Sequence, residues 1–304
     1  MSELFTNEKI LSWLHYYAKH TPVDLERVKM LDITQKNKNV IPTVETHNTV
    51  LVFTEAGDQD IFYRMWNAGL GECEVWYNEG SEPEGEIKHD KLKDMINRGI
   101  NASAGMLIFN PQARNTYKIG MDNENFLRGS VRYVGSEIRA VILNKMQVER
   151  QDEICVISGE SIAIEAALIA TEGTVIAVEY NGDDRATMEE NVDHFGLSNI
   201  IVVDHVDERS MNGCPVPSLV FMVASASMEQ ELAYLTSINP HINVVIYTLD
   251  FTVAANIGTV FEKYNISDKE VIQITVAELN AKNSFVQQPA PWIISGKASP
   301  KTER

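Results

Sequence analysis

Apolar residues recur along this chain at two spacings, and the alternation between them lays out its elements. Ile10, Leu11, Leu14 and Tyr17 fall at helical spacing, which predicts an amphipathic helix over residues 7–20. A short strand is expected at 28–33, then a polar loop at 35–39 and the β-rich stretch TVLVFT at 49–54. A helix over 58–68 follows, with Asp58 placed to cap its start and Gly69 to end it. Further strands are predicted at 73–77 and 106–109, with an acidic turn at 81–86 and a helix at 89–98 between them. Residues 111–130 lack periodicity and are rich in Asn and Gly, which sets a domain boundary there. The first domain, 1–130, is expected to be a small α/β unit.

Strand and helix alternate more cleanly after that boundary. Strands are predicted at 154–157, 174–179, 200–203, 219–223, 243–249, 271–276 and 292–294. Helices are predicted at 136–146, 161–170, 183–195, 228–238 and 252–264. The early strands are short, continuous apolar runs, as in a parallel sheet covered by helices on both faces. Residues 131–304 therefore read as a Rossmann-like α/β domain with a doubly wound, mostly parallel sheet. Such sheets bind ligands at the carboxyl ends of their strands.

Composition changes this picture in three ways. Cys73, Cys155 and Cys214 are scattered and odd in number, which argues against a disulfide framework and for a reducing, cytoplasmic setting. The opening residues MSELFTNEKI have neither a basic n-region nor an apolar h-region, so no secretory leader is expected, and no apolar run is long enough to span a bilayer. The net charge is −17, with 14 basic and 19 acidic residues in 1–130 against 12 and 24 in 131–304. Nucleic-acid binding needs a concentrated basic footprint. No Lys/Arg cluster supplies one.

A nucleotide-like cofactor in such a sheet needs a loop after the first strand that lets the backbone approach, and an acidic residue ending the second strand. Here the first strand of the second domain runs into Ser158-Gly159-Glu160-Ser161, where a helix opens. Glu179 ends the next strand, 20 residues after Gly159, the spacing that ribose recognition uses. Spacing alone leaves two readings open: Glu179 as a ribose acceptor, or as a surface carboxylate at a strand end. His194 and His205 have no partner at metal-ligand spacing, so no metal is expected. Trp13, Trp66, Trp76 and Trp292 read as core or interface anchors, and Cys155 as an inert strand residue. Ser225 and Ser227 lack the G-x-S-x-G elbow of a nucleophile.

The stretches VRYVGSEIRAVIL (131–143), SIAIEAALIA (161–170), VIAVEYNGDDRATMEENVDHFGLSNIIVV (175–203), SLVFMVASASMEQEL (218–232) and PAPWIISGK (289–297) carry a resemblance. They resemble the C15-methylating, decarboxylating enzymes of cobalamin biosynthesis, which are class I methyltransferases dependent on S-adenosylmethionine. Upstream, GLGECEVWYNEGSEPEGEI (69–87) and IGMDNENFLRG (119–129) resemble the C-terminal half of the tetrapyrrole methylases that act at C5. The first half of those methylases, with its glycine-rich loops, has no counterpart, so C5 methylation is not expected. The resemblance implies S-adenosylmethionine as cofactor, held around Ser158, Gly159, Ser161, Glu179, Tyr180, Val206 and Ala224. It also implies a corrinoid small molecule as partner and a homo-oligomer, without nucleic acid or membrane.

The departures from the family pattern fall on the working parts. Val156 stands where the family has an acidic residue, and the glycines that follow are reduced to Gly159 with two residues deleted. The later glycine-rich loop is Ala224-Ser225-Ala226-Ser227, and the acid expected near the adenine falls on Val206, between Asp204 and Asp207. The segment 277–291, where relatives carry basic residues towards a polycarboxylate substrate, holds Lys282 as its one cation. No catalytic residue is assigned. Two functions stay open: a divergent corrin-ring methyltransferase, and a non-catalytic methyltransferase-fold scaffold or binding protein.

Overall fold

A computed structural model describes residues 6–34, 38–58, 60–100, 102–114, 119–129 and 134–300. Residues 35–37 of the expected loop, 59 in the expected third helix, and 115–118 and 130–133 around the expected domain boundary lie outside the described residues. The chain divides into two compact units, residues 1–117 with 193–198, and residues 118–192 with 199–304.

The first unit runs α1 (Asn7–His20), β1 (Val28–Asp32), α2 (Val40–Thr46), β2 (Thr49–Phe53), α3 (Asp60–Asn67), β3 (Glu74–Tyr77), β4 (Lys88–Lys91), α4 (Leu92–Met95) and β5 (Gly105–Phe109). Its sheet has the order β1-β2-β5-β3-β4, with β1 and β2 parallel and the other pairs antiparallel. The two-residue period of β2 divides the core: Val50 and Val52 face the cluster with α2, α3 and α4, while Leu51 and Phe53 face α1. Trp13 of α1 lies against Gly105, where a Cβ would sit 2.7 Å from the indole ring. The Tyr17 hydroxyl donates to the Gly105 carbonyl at 2.7 Å. Asp58 accepts the Ile61 N–H at 3.3 Å, and Gly69 takes φ +84°, as a cap and a stop should.

The second unit runs α5 (Ser136–Met146), β6 (Glu153–Ile157), α6 (Glu160–Ile169), β7 (Thr174–Val178), α7 (Gly182–His194), β8 (Ile200–Val203), β9 (Leu219–Val223), α8 (Met228–Ile238), β10 (Asn243–Thr248), α9 (Phe251–Lys263), β11 (Ile266–Gln273), β12 (Ala277–Leu279), β13 (Phe285–Gln287) and β14 (Trp292–Ala298). Its seven-stranded sheet has the order β11-β14-β10-β9-β6-β7-β8. Strands β6 to β10 pair in parallel, and β14 runs antiparallel to both β10 and β11. The chain winds outward from β6 through β7 to β8, then returns to β9 on the other side of β6. That reversal is the topological switch point of a doubly wound, Rossmann-like sheet.

Four regions differ from the pattern in the sequence, the first being residues 40–46, which form α2 where no element was expected. Residues 88–91 form an edge strand rather than the start of a helix, and α4 covers four residues only. Charged residues suit an exposed edge. The strand expected at 271–276 begins at Ile266, because its exposed, polar positions hide the pattern. Residues 277–287 fold as a separate hairpin, β12 with β13. Among the described residues, no helix is long and apolar enough to cross a membrane.

Candidate functional site

The site lies where β6, β7 and β9 end. Ser158 leaves β6 at φ +55°, a left-handed conformation that a non-glycine residue adopts at a cost, and its N–H donates to the Val178 carbonyl at 3.0 Å. Gly159 precedes α6 without a side-chain cap. A Cβ there would lie 2.7 Å from the Phe221 ring and 2.9 Å from Val156 Cγ1. The glycine is thus required by the packing of its neighbours β6 and β9.

Glu179, just past β7, is 5% exposed. Burial, with Glu160 and Asp184 as like charges, pushes its pKa up to about 7 against the opposing pull of the Gly159 backbone. Burial also lifts Glu160 to about 7, reinforced by Asp184 and opposed by a hydrogen bond from Asn191. The Asn191 amide is held in turn by Leu127, accepting its N–H at 2.8 Å and donating to its carbonyl at 3.0 Å. Arg185 donates to the carbonyls of Glu179 and Tyr180 at 2.9 and 3.0 Å. Three carboxyls therefore converge at the position from which one was expected to reach a ribose.

The remaining candidates divide. The buried Ser161 hydroxyl accepts from Arg139 at 3.2 Å and belongs to a structural network. The Tyr180 hydroxyl donates to the Glu231 carboxylate, which also accepts from the Ser227 hydroxyl at 2.7 Å. The Tyr180 ring meets His205 edge to face, with centroids 5.4 Å apart. Val206 and Ala224 are half-buried against the α8 side of the core. Of the acids flanking Val206, Asp207 accepts the Ser210 N–H at 2.7 Å, while Asp204 pairs with His205 at 3.2 Å and is held down mainly by the Ser210 hydroxyl. Ser225 and Ser227 hydrogen-bond to each other at 2.9 Å. Burial raises the Cys155 thiol well above its usual range, which suits an inert strand residue.

Sequence reasoning missed Asp184, Asn191 and Glu231 as members of this region. Glu231 stands four residues after Ser227, a helical spacing that brings the two side chains together. Among the described residues, no group of three or more His, Cys, Asp or Glu could hold a metal ion.

A family model described as a precorrin methyltransferase domain matches residues 132–291. The precorrin-6Y C5,15-methyltransferase of Geobacter metallireducens GS-15 superposes with a TM-score of 0.54 at 20% identity, covering 59% of this chain and 97% of that one. A precorrin-8W decarboxylase from Methanobacterium thermoautotrophicum superposes at 0.50 and 13% identity, over 58% and 98% of the two chains. The C-terminal domain of the Rhodobacter capsulatus precorrin-6Y C5,15-methyltransferase gives 0.50 at 19% identity, over 59% and 97%. No curated protein matches the sequence.

Proposed function

Since the chain belongs to the precorrin methyltransferase family, we propose that it is a divergent member whose use of S-adenosylmethionine is weakened or lost. The observation that carries this reading is the state of Glu179, whose carboxylate is buried and crowded by Glu160 and Asp184. A ribose would need that carboxylate charged and open to its hydroxyls. The Tyr180–Glu231 hydrogen bond also ties the segment after β7 to α8. As they stand, these residues do not fit S-adenosylmethionine.

Calorimetric titration of the full chain with S-adenosylmethionine and S-adenosylhomocysteine tests the reading, with no saturable heat expected at micromolar ligand. Micromolar affinity for either ligand would overturn it. The retained position of Glu179 at the end of β7 favours a second reading, an enzyme that opens this cluster to bind. In that case Glu179→Ala removes the affinity.

We also infer a homo-oligomer in a reducing, cytoplasmic setting, as the free Cys73, Cys155 and Cys214 suggest. Leu279, Phe285 and Val286 are more than half exposed on the β12–β13 hairpin, an apolar surface of the kind that marks contacts. Light scattering should give more than one chain mass for the wild type and a monomer for Phe285→Ser with Val286→Ser. A wild-type monomer would count against assembly. The exposed hairpin segment keeps Lys282 as its one cation, which supports weak rather than tight engagement of a polycarboxylate corrinoid.

A further inference from the structure

Within the first unit, which includes residues 193–198, the start of α2, the end of α3 and the 193–198 segment line a cavity of about 590 Å³. That size is typical of small-molecule pockets. Its walls are fixed by close contacts. The Ser198 N–H and hydroxyl donate to Asn39 Oδ1 at 2.8 and 3.2 Å, and Asn39 is 3% exposed. Gly196 takes φ +60° against α2, where a Cβ would lie 2.6 Å from Ile41 Cδ1. Val40, Ile41 and Leu197 are buried and give the cavity an apolar lining.

Charge decides what such a cavity can hold. The chain carries a net −17, yet Lys38 and Arg64 line this cavity against one acid, Asp193. Lys38 is half-buried and forms no ion pair or hydrogen bond among the described residues. Arg64 lies 3.8 Å from Asp58, a carboxylate already engaged by the N–H groups of Asp60 and Ile61. The same two cations line an adjoining cleft of about 230 Å³, where the acids are Glu55 and Asp58. Lys38 and Arg64 therefore stand where the two clefts meet, with those acids outside the larger one. The last carbonyls of α3 do not offset them, since they accept the N–H groups of Ala68, Gly69 and Leu70.

A cationic ligand would meet Lys38 and Arg64 directly, and a wholly apolar one would leave the half-buried ammonium unpaired. An anion supplies the missing acceptors, and the Arg64 guanidinium offers the fork that phosphate oxygens match. A phosphate group carries about −1.5 to −2 charges at pH 7, enough to answer two cations, where a carboxylate answers one.

We propose that this cavity binds a phosphate-bearing small molecule, with Lys38 and Arg64 on the phosphate and Val40, Ile41 and Leu197 against its apolar part. Asn67 and His194, which also line the cavity, supply further N–H donors. The site shares no residue with the crevice where β6, β7 and β9 end, so it holds whether or not S-adenosylmethionine binds.

The test uses n-butyl phosphate and n-butanol as matched probes on the full chain, followed by amide chemical shifts in NMR. Millimolar n-butyl phosphate should move the amides of residues 40, 41, 67–69 and 196–198 in a saturable way, and n-butanol should not. Lys38→Ala and Arg64→Gln should each weaken phosphate binding by about tenfold or more. Lys282→Ala, which removes a cation elsewhere, should leave it unchanged. Equal shifts from the alcohol, no saturable shifts at these amides, or affinities in Lys38→Ala and Arg64→Gln no weaker than in Lys282→Ala would each overturn the proposal. Should either cavity variant fail to fold, the wild-type contrast between phosphate and alcohol decides.

Discussion

The guanidinium of Arg139 and the carboxylate of Glu165 form an ion pair with Nε 2.5 Å from Oε1, both side chains 2% exposed or less. Around it gathers the stretch 119–129 that precedes α5. The N–H groups of Gly120 and Met121 donate to Glu165 at 2.8 and 2.9 Å. Arg139 donates to the Met121 carbonyl, to Asn123 Oδ1 at 3.1 Å and to the Val134 carbonyl at 3.0 Å, and lies 4.7 Å from the centre of the Phe126 ring. One buried pair thus fixes the stretch on α5 and α6. Leu127, further along it, holds Asn191 and through it Glu160. The crevice is organised by residues that never enter it.

Removing one partner of this pair should therefore be severe. Glu165→Ala leaves a buried guanidinium without its counter-charge, for which the expected loss is ~3–5 kcal/mol. Urea denaturation of the full chain measures it. Arg139→Met combined with Glu165→Leu should recover much of that loss, since an apolar pair avoids the desolvation cost. A loss under ~1 kcal/mol for Glu165→Ala would show that the pair is not needed to hold residues 119–129.

The raised carboxyls give stability a pH dependence of definite sign. Glu160 and Glu179 go from the ordinary 4.5 to about 7 on folding. As pH rises through that window the unfolded chain loses these protons first, so the folded state becomes relatively less stable. The contribution is fully present below the ordinary value and is lost once pH passes the folded one. At ~1.4 kcal/mol per tenfold change in proton affinity, the loss is on the order of a few kcal/mol. The urea midpoint should fall across this window, and Glu160→Gln with Glu179→Gln should flatten it. A wild-type midpoint that rises there would contradict the placement of these groups.

Gly159 is held by Phe221, and that relationship can be tested by a double-mutant cycle. Gly159→Ala places a Cβ 2.7 Å from the ring, and overpacking of this kind costs ~1–3 kcal/mol. Phe221→Leu makes room at the price of a smaller core side chain. The two changes together should cost less than their sum, with a coupling of ~0.5 kcal/mol or more. Strict additivity in thermal unfolding would mean that the glycine serves something other than this contact.

The parts of the site that the sequence displays are those governed by period and spacing. Glu179 is legible because β6, α6 and β7 follow one another at regular intervals, and Gly159 because a glycine ends an apolar run. Glu160 and Glu231 are not, since acids on the first turn of a helix are common simply for favouring its dipole. Nothing local separates such an acid from one buried by a partner far along the chain. Arg139 looks like the polar face of α5 until the stretch 119–129 is seen to close over it. The edge strand β4 and the first part of β11 escaped for a related reason, being largely exposed and rich in charge, with little apolar alternation to find.

Restoring cofactor affinity offers a direct contrast between steric and electrostatic repair. Val156 is 1% exposed, sits in register with Ala177 and Phe221, and touches the space that Gly159 leaves open. Val156→Asp would bury a carboxylate in that core, at a cost of several kcal/mol, and would leave Glu179 crowded by Glu160 as before. Replacing Ser158-Gly159-Glu160 with a longer Gly-x-Gly-x-Gly loop acts differently. It removes Glu160 from beside Glu179, lowers the like-charge pressure there, and gives the backbone freedom to present N–H groups to a ligand. Positioning dominates in such sites, where a displacement of ~1 Å can cost about a hundredfold. The loop graft should therefore gain measurable affinity for S-adenosylhomocysteine by calorimetry, while Val156→Asp gains none and melts earlier than the wild type. If Val156→Asp alone bound the ligand as well as the graft, the loss of charge rather than the loss of loop geometry would have closed the crevice.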